Sequence, residues 1–125
     1  MMNINDIILD SQLVKLAEEI KEVSRKAAQA KNRAYFLKKQ EQPFLSSLRN
    51  QLKLKDPDKT EEAIKREAQG SEAYNNHIIG MCAAQAEADR LEAELNAVKT
   101  KWESVRTVMA NEREEIKQKL YDRGS

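Results

Sequence analysis

Residues 81–109, MCAAQAEADRLEAELNAVKTKWESVRTVM, place apolar side chains at Met81, Ala84, Ala88, Leu91, Leu95, Val98, Trp102, Val105 and Met109. The intervals alternate between three and four, averaging about 3.5 residues against the roughly 3.6 of an α-helical turn, so one narrow seam faces a partner helix along its whole length. Toward the N-terminus the same alternation recurs at Leu9, Leu13, Leu16, Ile20, Val23, Ala27, Ala30, Ala34 and Leu37. Two uninterrupted seams predict an all-α protein built on two long helices packed lengthwise.

The composition agrees with this reading. Charged residues make up 34% of the chain and aromatics 5%, with three glycines and two prolines, which suits helices better than a sheet. A length of 125 residues predicts a single domain, 1–125, with a modest core. The net charge of +1 implies no polyelectrolyte partner for the chain as a whole. Cys82 is the lone cysteine, so no internal disulfide ties the fold to an oxidising compartment. No basic leader precedes an apolar core, and no apolar run approaches the roughly 18 residues of a membrane span. The expectation is a cytoplasmic protein without a membrane partner.

Punctuation divides the chain into four pieces. Asn5 or Asp10 can cap a first long helix, 5–42, and Pro43 predicts a kink or break because it disfavours helical geometry at Gln42 and lacks an N–H. Phe44, Leu45, Leu48, Leu52 and Leu54 carry a second helical piece, 43–55, as far as the turn Asp56-Pro57-Asp58. Asp58 and Glu61 have capping-box spacing for a short helix, 58–69, with Ala63, Ile64 and Ala68 inward. Gly70 ends that helix, and Ser71 caps a last long helix, 71–122. Within it, Gly80 is a place for a bend or a close helix contact.

The charges beside the seams propose a direction. In an antiparallel hairpin with Leu37 beside Met81 and Leu9 beside Met109, Ala34 faces Ala84, Ala30 faces Ala88, and Trp102 lies against Leu16. The flanking pairs then become Glu19 with Lys101, Lys26 with Glu94, and Arg33 with Glu87, all opposite in sign. Each exposed pair is worth only about 0.3–0.5 kcal/mol, so its role is to specify register. The short connection also favours an antiparallel hairpin over a parallel pairing within one chain, and the charge matching serves equally a hairpin closed within one chain or one exchanged between two. The expected helix–helix interface includes Leu16, Ile20, Ala30, Ala34, Ala84, Ala88, Leu95 and Trp102.

Charge is uneven along the chain, with a net of +8 over residues 21–55 and −6 over 56–98. Much of the basic block is expected to be neutralised by the acidic block lying along it. What remains toward the head of the hairpin, at Lys38, Lys39, Arg49, Lys53 and Lys55, lies near Tyr35, Phe36 and Phe44. Cations beside aromatics suit a single nucleic-acid strand, through phosphate contacts and base stacking. The competing expectation buries those aromatics in a small apolar head with Ile64, Ile78 and Ile79.

No catalytic constellation, cofactor motif, metal set or small-molecule site is read from the sequence. His77 and Cys82 are five residues apart on a helix, which does not place them on one face. The three glycines are too dispersed for a phosphate loop. Ala83, Ala86, Ala93 and Ala97 lie outside the seam, where small residues permit close approach by another helix, so a homo-oligomer is expected.

The layout comprises a basic first helix, Lys59-Thr60-Glu61 opening a short helix, Tyr74 soon after the next cap, and a heptad helix ending in Arg113 and Glu114. It resembles small phage and prophage helical proteins found with recombination genes and, more distantly, the UvsY-type recombination mediators. The resemblance covers about residues 15–115 and rests on spacing and character. It implies an oligomeric, non-enzymatic accessory that binds single-stranded DNA and helps load or stabilise a recombinase, in the bacterial host cytoplasm. The alternative expectation is a structural or assembly adaptor acting through helix–helix contacts.

Overall fold

The computed structural model describes residues 4–124. It contains three helices and, among those residues, no strand: α1 (Ile4–Lys55), α2 (Glu61–Gln69) and α3 (Glu72–Gly124). The protein is an all-α helical hairpin in which α1 and α3 pack against each other. The chain divides into two compact units, Met1–Lys26 with Leu91–Ser125, and Ala27–Arg90.

In the unit Ala27–Arg90 the seam is made of small residues. Ala34, Ala84 and Ala88 form a buried cluster, with Ala30 and Leu37 packed against it. Side chains this short keep few rotamers to lose and let helix axes approach closely, so the contact relies on backbone proximity more than on bulk. Further along, Tyr74 of α3 donates to Glu41 of α1 at 3.0 Å, and His77 Nε2 lies 3.2 Å from the Leu37 carbonyl oxygen. Rising numbers on α1 meet falling numbers on α3, which is an antiparallel pairing.

The unit Met1–Lys26 with Leu91–Ser125 pairs in the same sense with bulkier residues. Leu16, Val23, Leu91, Val98 and Met109 are buried. Trp102, expected against Leu16, is half-buried between Leu13 on one side and Ala17 with Ile20 on the other.

Three local expectations are corrected. First, α1 does not break at Pro43: it is one helix of 52 residues with the proline inside it. The missing N–H deprives the Lys39 carbonyl of its usual partner, a cost of about 3 kcal/mol in an isolated helix. Contacts on both sides hold the segment: Glu41 with Tyr74, the Phe44 ring stacked on His77 at 4.9 Å, and Leu45 buried. Second, neither Asn5 nor Asp10 is a cap, since α1 already includes both and Asp10 is more than a turn inside. Third, α2 opens at Thr60 rather than Asp58. Thr60 has the extended backbone of a cap, and its side-chain oxygen accepts from the Ala63 N–H at 3.2 Å. Glu61 and Glu62 then fall in the first turn, where the helix dipole favours acids.

Gly70 does end α2, with a right-handed backbone and its N–H bonded to the Arg66 carbonyl. Ser71 caps α3 by accepting from the Tyr74 N–H at 3.1 Å. Gly80 is no site of close approach, because a Cβ built there meets nothing within 4 Å.

Candidate nucleic-acid interface

The seam takes Ala34 and Leu37, and successive helical residues are turned by about 100°, so Tyr35 and Phe36 point away from α3. Both are largely solvent-exposed, at 61% and 60%. Lys39 lies one turn on from Tyr35, with its ammonium 5.0 Å from the ring centroid. That is a cation–π contact on an exposed face, worth about 0.5–1 kcal/mol. Lys38 is exposed and, among the described residues, holds no ion pair. Two aromatic rings and two cations therefore share a stretch of about one and a half turns of α1.

The other basic candidates are placed differently. Arg49 and Lys53 both reach Glu61 at the start of α2, each at 3.4 Å. This ties α2 to the last turns of α1 and neutralises part of the basic block. Lys55 ends α1, where a cation complements the helix dipole. It lies about 24 Å along the helix from Lys39, at about 1.5 Å per residue. The five candidates thus do not form one patch.

The aromatic head is also corrected. Tyr35, Phe36 and Ile79 are exposed, Phe44 and Ile78 are half-buried, and the buried residues of this region are Leu45, Ile64 and Ala68. The signal for the outward rings lay in the heptad itself, since positions 35 and 36 fall between seam positions. What sequence reasoning missed was the cross-helix pair Tyr74–Glu41. This hydrogen bond, with burial and the carboxylate's charge, holds the Tyr74 hydroxyl above its ordinary pKa.

Two of the expected flanking charge pairs are not direct contacts. Glu19 and Lys101 form no ion pair among the described residues, and Glu87 binds Arg90 on its own helix at 2.7 Å instead of Arg33. The Arg90 hydrogen bond lowers the Glu87 pKa, and Arg25 does the same to Glu22 at 2.6 Å. Of the interface residues, Leu16, Ala34, Ala84 and Ala88 are buried, while Ile20, Ala30, Leu95 and Trp102 are half-buried.

His77 is held by the Phe44 stack, and Cys82 is exposed as a free thiol. Among the described residues no three His, Cys, Asp or Glu side chains gather to hold a metal, and no helix is long and apolar enough to cross a membrane.

Fold and site together define an all-α antiparallel hairpin with an aromatic–lysine face on its first helix. Comparison of the chain with protein-family models, curated proteins and solved structures finds no match.

Proposed function

We propose that this protein is a non-enzymatic helical accessory that binds single-stranded DNA along the outward face of α1 and works with a recombination protein. The observation that carries the reading is the exposure of Tyr35 and Phe36 beside Lys38 and Lys39. Bases stack on exposed aromatic rings with about 1–3 kcal/mol each, and α1 presents two such rings side by side. Lysines one turn away supply phosphate contacts that are strong at low salt and fade as salt rises. The pattern-level resemblance to phage recombination accessories points the same way. Assembly into a homo-oligomer through the exposed alanines of α3 belongs to the same reading and would place several such faces along one strand.

The test is a titration of fluorescent oligothymidylate across a salt series. Contacts to two phosphates give roughly a sevenfold loss of affinity between about 50 and 200 mM salt. Replacing both rings, Tyr35→Ala with Phe36→Ala, is expected to weaken binding at least about tenfold. Absence of binding at the lowest salt rejects the DNA reading in favour of an assembly adaptor. That second reading is favoured by the exposed Ile4, Ile7, Ile8 and Val14 at the start of α1.

A further inference from the structure

We propose that the groove on one flank of the unit Met1–Lys26 with Leu91–Ser125 is a docking site for an acidic amphipathic helix of a partner protein. The groove consists of two depressions that share Trp102. The larger, about 580 Å³, has an apolar floor of Leu13, Trp102 and Met109. The smaller, about 380 Å³, continues that floor with Ala17 and Ile20. Leu13, Ala17 and Ile20 keep helical spacing along α1, so the floor offers a row of apolar positions with the period of an incoming helix.

The rim sets the sign of the partner. Lys99, Arg106 and Arg113 border the groove at intervals of seven residues, two turns or about 10.5 Å apart. None of the three holds an ion pair among the described residues. Arg106 instead lies over the Trp102 ring at 5.4 Å. Asp10 and Glu103 also face the groove, which leaves it net cationic. A helix carrying an acid every two turns beside an apolar stripe matches both features.

Two other occupants fit less well. Groove-to-groove packing of two copies would bring two net-cationic rims together, and like charges juxtaposed at an interface are penalised. A nucleic-acid strand gains less here, because the groove offers a single aromatic ring for stacking. This inference does not rest on the DNA reading, whose residues belong to the unit Ala27–Arg90.

Trp102 is the sole tryptophan and lies half-buried in the floor, so its emission reports on the groove. The probe is a synthetic helical peptide of three heptads, free of tryptophan and tyrosine, with leucine along one stripe and glutamate on its flanks. The control is the same peptide with lysine in place of glutamate. The expected result is a saturable blue shift of Trp102 emission with the glutamate peptide, and binding of the lysine peptide at least about tenfold weaker. Arg106→Glu with Arg113→Glu, both exposed, should reverse that order, with Lys99→Glu alone giving the same trend if the double variant loses helicity. Equal binding of the two peptides, or no shift with either, overturns the proposal. So does displacement of the glutamate peptide by oligothymidylate, which would make the groove a nucleic-acid surface. A change in solution mass caused by Arg106→Glu would overturn it in favour of a self-interface.

Discussion

Truncating Ile64 to alanine tests how α2 is held. The helix has nine residues, and an isolated helix shorter than about 12–15 residues is marginal in water, so tertiary anchoring has to supply its order. Its two buried side chains are Ile64, 1% exposed, and the smaller Ala68. Ile64→Ala removes three carbons, worth about 2.4 kcal/mol at roughly 0.8 kcal/mol each, and the unfilled space adds to that. The expected loss is therefore about 2.5–4 kcal/mol. The ion pairs of Arg49 and Lys53 with Glu61 are too exposed to compensate, at less than about 1 kcal/mol each. Urea unfolding followed by circular dichroism measures the loss, and hydrogen exchange of the amides of Glu61–Gln69 locates it. Ile79→Ala, at a position 66% exposed, is the internal control and should stay within about 0.5 kcal/mol of the parent. If Ile64→Ala were equally silent in both stability and α2 protection, the anchoring argument would be refuted.

Gly80→Ala is expected to stabilise the protein by roughly 0.5–1 kcal/mol in thermal or urea unfolding, because the added methyl meets nothing and α3 loses an interior glycine. Tyr74 makes the alkaline limb sensitive to one hydrogen bond. Its hydroxyl is held protonated by Glu41, so its folded pKa is raised, and its contribution is complete below the ordinary tyrosine value and disappears as pH climbs through the raised one. Stability should therefore decline above about pH 10, and Tyr74→Phe should flatten that decline when unfolding is measured across alkaline buffers.

Much of the hairpin is legible because a seam at 3–4 spacing has one geometric solution, and Ala34, Ala84 and Ala88 fall together as that solution requires. The position of Pro43 was not legible. A local rule forbids it in a helix, but the forces that override the rule come from residues more than thirty positions away, Tyr74 and His77. The cap of α2 was ambiguous for a related reason. Asp58 and Thr60 are both competent acceptors, and the choice depends on which takes the extended backbone that leads out of the Asp56-Pro57 turn. Charge pairing across the hairpin yields at Glu87 to pairing along one helix: it takes Arg90, three residues on, where the chain already holds the two groups close. At the candidate site, the heptad encodes the outward direction of Tyr35 and Phe36, which fall between seam positions, and the expected burial of these rings in an apolar head runs against it. The capture of Arg49 and Lys53 by Glu61 depends on where α2 lies, which no spacing within α1 encodes.

The functional claim is most directly tested by backbone chemical-shift mapping of the isotope-labelled chain during titration with oligothymidylate at low salt. Saturable shifts centred on Tyr35, Phe36, Lys38 and Lys39 that disappear as salt is raised are the expected result. Shifts centred instead on Lys99, Arg106 and Arg113, or no shifts at all, would contradict it.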